Sequence, residues 1–282
     1  MSQQLAGTCD ALAPAAARTR PPFLLVTGGK GGVGKTTLTA NLGVQLAREG
    51  RRVLLCDLDL GLANLDVMLR IPPGRTLEDA LAGRARFAEC VARGPEGVDV
   101  LPAGSGTAEM GRPDAARRAR IVAGLRGLAA SYDLVIGDGA AGIGPDVLAF
   151  AALADHVFVV TTPLPAAMTD AYGLIKALDT WGRDNDAEVP TPEVVVNLAT
   201  GLDEAERTAT RLRTVCERFL CRSPRTAGWL PAAPAVAMSG RSQRPFATGP
   251  RDALENGCLR RLSARVARLL PSPHENGRRT PG

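Results

Sequence analysis

Only three lysines stand among the 34 basic residues of this 282-residue chain, and two of them, Lys30 and Lys35, share one glycine-rich segment. That segment, Gly29-Lys30-Gly31-Gly32-Val33-Gly34-Lys35-Thr36, satisfies G-x-x-x-x-G-K-[ST]. Glycines at these positions let successive backbone N–H groups converge on phosphate oxygens, and a helix starting at Lys35 adds its positive dipole end. Lys35 is placed for β- and γ-phosphates, the Thr36 hydroxyl for Mg2+, and Thr37 for the α-phosphate. An ordinary loop of this kind needs no second lysine. Lys30, on the outer limb, is a cation able to fold back or to reach a partner's site and neutralise transition-state charge. A glycine-rich turn that binds nothing is the competing explanation, and the complete motif between a strand and a helix outweighs it.

Three aspartates have matching chemistry. Asp57 and Asp59 close one apolar run and Asp138 closes another. Beside a phosphate loop, carboxylates at the carboxyl ends of strands can hold Mg2+ through water and orient an attacking water. Without the loop, a strand-ending pair that caps a turn would be the simpler account of Asp57 and Asp59.

These groups need a scaffold, and the hydrophobic pattern describes one. Strands are expected at Phe23–Thr27, Val53–Asp57, Val98–Pro102, Leu134–Gly137, His156–Thr161, Glu193–Asn197 and Thr226–Leu230. Helices are expected at Lys35–Glu49, Asp114–Ala130, Pro145–Leu153, Ala166–Trp181 and Asp203–Leu220. The strands are continuous apolar runs that alternate with helices. That pattern predicts an α/β fold with a mostly parallel, doubly wound sheet and helices on both faces. Residues 1–22 read as a flexible leader, 23–270 as one domain, and the polar, Pro/Gly-rich 271–282 as a disordered tail.

The variant K-G-G-x-G-K-T-T resembles the deviant-Walker MinD/ParA ATPases, a branch of the P-loop NTPases. Cys56-Asp57-Leu58-Asp59-Leu60-Gly61-Leu62-Ala63-Asn64-Leu65-Asp66 is similar to the D-x-D-x-G-L-x-N-x-D segment of the MinD branch. Thr161-Thr162-Pro163-Leu164-Pro165 and Thr169-Asp170-Ala171-Tyr172-Gly173-Leu174-Ile175-Lys176 resemble the T-P-E-P and T-D-A-Y-x-L-I-K pattern of the FlhG/FleN/YlxH flagellar-number regulators. Val98–Met110 and Val194–Leu220 follow the same subgroup.

The resemblance implies ATP and Mg2+ as cofactors, slow hydrolysis and a face-to-face homodimer on ATP binding. It makes Lys30 the signature lysine that contacts the partner's nucleotide, Asp59 the water-activating residue and Asp57 a metal-shell partner. Asp138 takes the metal through water, and Asn197 reads adenine beside Pro231, which ends the Gly228-Trp229-Leu230-Pro231 segment. Gly139 stands where the subgroup has Thr or Ser, and Ala233 where it has an acid. The implied partners are a flagellar transcriptional activator and, as a secondary one, a flagellar GTPase. For the GTPase, the leader lacks a copy of the D-Q-A-x-x-L-R motif.

Other classes find less support. Cys9, Cys56, Cys90, Cys216, Cys221 and Cys258 form no C-x-x-C pair, and His156 and His274 are the only histidines. That spacing argues against zinc or iron–sulfur sites, and so against an electron carrier on the same fold. No apolar run approaches the roughly 20 residues of a membrane span and no signal peptide is recognisable, so a cytoplasmic location is expected. The net charge of +5 first suggests nucleic acid, but the excess lies beyond residue 240. A partition ATPase on nucleoid DNA is therefore the weaker alternative. Cys258–Leu270 has apolar residues at helical spacing with arginines between them. It is read as a last core helix, with contact at the inner membrane face as the second option.

Overall fold

Leu24-Leu25-Val26, Val53-Leu54-Leu55-Cys56, Leu134-Val135-Ile136, Val157–Val160 and Val194-Val195-Val196 are all buried, with no exposed residue interrupting any run. Such runs require cover on both faces of their sheet. In the computed structural model, which describes residues 21–72, 74–104, 114–220 and 222–270, they become strands of a single sheet. The strands are β1 (Phe23–Gly28), β2 (Val53–Leu58), β3 (Ala92–Arg93), β4 (Asp99–Leu101), β5 (Leu134–Ala141), β6 (His156–Thr161), β7 (Glu193–Ala199) and β8 (Arg225–Pro231). Their order is β3-β4-β2-β5-β1-β6-β7-β8, parallel except where β3 meets β4 at the edge. The chain leaves β1 toward β2 on one side and later reaches β6 on the other, which makes the carboxyl end of β1 a switch point. Ligands bind at such points in open α/β sheets.

The helices are α1 (Lys35–Arg48), α2 (Leu65–Leu69), α3 (Leu77–Leu81), α4 (Ala115–Ala129), α5 (Pro145–Leu153), α6 (Pro165–Asp184), α7 (Leu202–Leu220), α8 (Pro234–Ser242) and α9 (Leu254–Ala267). One layer has α1 on β1, β2 and β5, with α9 against β8 and α1. The other has α5, α6 and α7 packed in series over β5, β1, β6, β7 and β8. Proline at the first turn of α5, α6 and α8 starts each helix where no N–H partner is needed.

The expected strands and helices all form, with shifted ends, and β3, α2, α3 and α8 are additions. β5 runs past its expected end through Gly137-Asp138-Gly139-Ala140-Ala141, because pairing with β1 and β2 continues where side-chain propensity is poor. The last helix begins at Leu254 and buries Leu259, Leu262 and Val266 completely. It is a core helix. No helix among the described residues is long and apolar enough to cross a membrane. Residues 1–20 of the leader, the 271–282 tail, Pro73, residues 105–113 and Cys221 lie outside the described residues.

The amino ends of the strands are held by ion pairs and by a carboxylate that caps a backbone N–H. Arg52 meets Asp133 at 2.7 Å, and the Phe23 N–H donates to Asp155 Oδ2 at 2.8 Å. Arg183 reaches Asp179 at 3.0 Å; Arg222 also binds Asp179, and Arg265 binds Glu193.

Candidate functional site

The phosphate loop links β1 to α1. Gly34 sits at φ +94°, where a side chain is strained, and lets the helix begin abruptly at Lys35. Two close approaches fix the loop. A Cβ on Gly29 would lie 2.0 Å from the Asp170 carbonyl oxygen on α6, and one on Gly34 would lie 2.1 Å from Asn197 Nδ2. Nothing lies within 4 Å of the corresponding positions on Gly31 and Gly32, so that limb is open to an incoming ligand. Lys30 is exposed there, whereas Lys35 is 8% exposed and points into the molecule. Val33 is buried behind the loop; Thr36 and Thr37 are half-buried at the first turn of α1.

Asp57 and Asp138 are direct register partners on β2 and β5, and both carboxylates are almost fully buried. The Asp138 carboxyl is pushed well above its usual range, first by burial and then by the neighbouring Asp57 charge. Hydrogen bonds from Thr36 and Thr39 and the Lys35 charge work against that rise. The Thr39 hydroxyl donates to Asp138 Oδ1 at 3.1 Å.

The Asp57 carboxyl is also raised by burial, although three backbone N–H groups oppose it. Asp59 N–H donates to its Oδ1 at 3.1 Å, and Asn64 and Leu65 N–H donate to its Oδ2 at 3.0 Å each. In this structure Asp57 therefore organises the turn that carries Asp59. Asp59 is half-buried and accepts the Leu62 N–H at 3.3 Å.

Oxygen donors of this kind suit a hard divalent cation. Asp138 has the Asp57 carboxylate, the Thr36 and Thr39 hydroxyls and the Lys35 ammonium about it, one cation to two acids, a balance that Mg2+ would shift. No cluster of three or more His, Cys, Asp or Glu occurs among the described residues. The Asp57–Asp138 pair fits Mg2+, which is held by one or two carboxylates, waters and substrate phosphates rather than by a protein cage.

The ends of β7 and β8 carry Asn197 and Pro231, and Asn197 reaches the loop. Asn197 is buried, its Nδ2 donates to the Val33 carbonyl at 2.8 Å, and its Oδ1 accepts the Leu198 N–H at 2.9 Å. One N–H and one lone pair of the amide remain uncommitted. Pro231 is buried opposite Ala199, and the Ala232 N–H closes onto the Ala199 carbonyl at 2.9 Å. A Cβ at Gly139 would come within 3.1 Å of the Val26 carbonyl oxygen, so glycine allows β5 to lie close against β1.

Sequence reasoning missed two contacts. Thr39 follows Lys35 by one helical turn, a spacing that could have placed it against β5. The Asp170 backbone against Gly29 leaves no trace in spacing. His156 opens β6, with Asp155 just before it. Cys56, Cys90, Cys216 and Cys258 are buried and free, and burial raises each thiol, Cys216 to about 11. Cys9 and His274 fall outside the described residues.

A loop of this geometry at the switch point of a parallel sheet, facing two buried carboxylates, defines a nucleotide-binding α/β domain. Residues 24–246 match the model of the CobQ/CobB/MinD/ParA nucleotide binding domain, and the chain belongs to that family. It is 38% identical over 221 residues to "Antiactivator FleN" of Pseudomonas aeruginosa, covering 78% of this chain and 77% of that one. It is also 38% identical over 154 residues to "Flagellum site-determining protein YlxH" of Helicobacter pylori, covering 55% of this chain and 52% of the relative. The cell division ATPase MinD of Pyrococcus furiosus shares the fold, with a TM-score of 0.72 at 24% identity over 88% of this chain and 99% of that one.

Proposed function

We propose that this protein is a Mg·ATP-dependent dimerising switch that restrains a flagellar transcriptional activator and so sets flagellar number and gene expression. The observation that carries this reading is the 38% identity to an antiactivator over most of both chains, joined to a complete phosphate loop with a second lysine on its open limb. When bound, Mg2+ would neutralise charge on the β- and γ-phosphates, with Thr36 and Asp138 holding it and Asp57 beside them. Lys35 supplies a buried positive charge to the same phosphates, and the loop N–H groups fix their orientation. Asp59 holds the attacking water in line. Hydrolysis then depends on positioning and charge, with no covalent intermediate.

Dimerisation has its own support. Leu62, Ile143 and Leu164 lie just beyond the carboxyl ends of β2, β5 and β6 and are 76%, 59% and 67% exposed. Together they rim the loop with apolar surface that a facing copy would cover. Lys30, on the same face, would then lie against the partner's nucleotide. On this reading the protein is cytoplasmic. Because α9 packs in the core, it lends no support to the secondary option of peripheral membrane contact; direct DNA binding is no part of this reading.

The test has two arms. Light scattering should report a dimer with Mg·ATP and a monomer with Mg·ADP, and Lys30→Ala should remain monomeric with either. Cells lacking the protein should carry extra flagella and express flagellar operons more strongly, and the Lys30→Ala form should fail to restore them. An ATP-driven dimer that survives Lys30→Ala sinks the dimer mechanism; unchanged flagellar number sinks the flagellar role.

A further inference from the structure

The nucleotide site proposed above is assembled from two distant parts of the chain. Its phosphate half is the loop before α1, and its base half is the edge where β7 ends at Ala199 and β8 ends at Pro231. From Pro231 the chain runs through α8 and the stretch 243–250 before entering α9. One side chain ties the helix that follows the phosphate loop to the stretch that follows Pro231. Asn41 lies on the second turn of α1, is completely buried, and makes three hydrogen bonds. Its Nδ2 donates to the Thr37 carbonyl at 2.7 Å and to Ser239 Oγ on α8 at 3.2 Å; its Oδ1 accepts the Ala247 N–H at 2.9 Å. Ser239, 1% exposed, donates onward to the Arg244 carbonyl at 3.1 Å.

A buried amide inside a helix is costly unless its groups are paired, and a leucine would fill the same space at lower cost. Asn41 uses both N–H groups and one acceptor site, and each bond reaches a different segment. The segments are the turn that carries Thr36 and Thr37, the far end of α8, and the stretch after it. The last of these has independent anchors. Arg48 donates to the Ala247 carbonyl, and Asn256 Nδ2 donates to the Phe246 carbonyl at 3.1 Å and the Pro250 carbonyl at 2.8 Å. Removing the Asn41 amide therefore frees the first turn of α1 from α8 without releasing the edge of the domain.

We propose that Asn41 is a positioning residue that registers the base side of the nucleotide site against its phosphate side, acting through Ser239 and the stretch that follows Pro231. This rests on the nucleotide reading above. A ligand that spans both halves feels the registration, and a ligand that fills only the loop does not.

The experiment is competitive displacement of a fluorescent ATP analogue from the full chain in Mg2+, using ATP and inorganic tripolyphosphate as competitors. Asn41→Ala should weaken ATP by about tenfold and tripolyphosphate by less than about twofold, the scale of one buried hydrogen-bond set. Ser239→Ala, a milder change that keeps Asn41 in place, should show the same split at about threefold. If Asn41→Ala does not fold, Ser239→Ala carries the test alone. Equal losses for the two competitors, or no loss for either, overturn the positioning role. A wild-type chain that binds neither ATP nor tripolyphosphate overturns the nucleotide reading itself, and this inference with it.

Discussion

The two ends of the sheet treat charge in opposite ways. At the amino ends of the strands, acids meet arginines: Asp133 with Arg52, Asp179 with Arg183 and Arg222, Glu193 with Arg265. Partial burial works against Asp133, yet hydrogen bonds from Arg52 hold its carboxyl below the usual range. At the carboxyl ends, Asp57 and Asp138 lie side by side in the interior and are pushed the other way. Lys30 stands exposed on the phosphate loop, with no hydrogen bond or ion pair to the described residues. Charges at the first end are satisfied by the fold itself. Those at the second accept hydrogen bonds from Thr39 and from backbone N–H groups but have no arginine partner, and burial leaves them strained.

The largest effect should come from the binding end. Lys35→Ala removes the buried ammonium and should weaken Mg·ATP by about two orders of magnitude, on the order of 3 kcal/mol, measured by nucleotide titration. Binding within a fewfold of wild type would mean that the buried charge is not aimed at the ligand.

Next comes the paired end. Asp179→Asn leaves Arg222 without its anionic partner and should lower unfolding free energy by about 2 kcal/mol, read by urea denaturation, with nucleotide affinity unchanged. An equal loss of affinity would erase the contrast between the ends.

The smallest effect has the opposite sign. Asp138→Asn should stabilise the nucleotide-free protein by about 1 kcal/mol at neutral pH while abolishing the further gain from Mg·ATP. The sign follows from the raised carboxyl. A folded-state pKa above the unfolded one contributes stability that is present in acid and lost as pH rises toward the folded value. The advantage of Asp138→Asn should therefore vanish in acid and grow toward neutrality. An advantage that does not depend on pH would mean that Asp138 is not a strained carboxylate.

Most of the fold was legible because its signals are local. Buried strands show as unbroken apolar runs, and the loop shows as glycines at fixed spacing before Lys35. Asp57 and Asp138 are legible as the carboxylates that follow the apolar runs of their strands. β3 is two residues long and α2 and α3 are five each, too short for a period to register. In α8, Ser239, Gly240 and Ser242 interrupt the apolar pattern. Asn41 was available as a polar residue within Leu38-Thr39-Ala40-Asn41-Leu42, but only its partners give it meaning. Ser239 and Ala247 are about two hundred residues away.

By itself the sequence determined the class of fold, the loop, the identity of its two lysines and the aspartates that face it. Each of these depends on neighbours within a few residues, where backbone geometry leaves few alternatives. Tertiary structure alone decided that Asp57 and Asp138 share a register, that Asp57 spends its oxygens on the turn carrying Asp59, and that Asn197 and Asp170 brace the loop. It also decided that the last basic helix packs inward. Such facts depend on which strands lie side by side and which faces meet, and pairing between segments far apart in the chain leaves no mark on the spacing within either one.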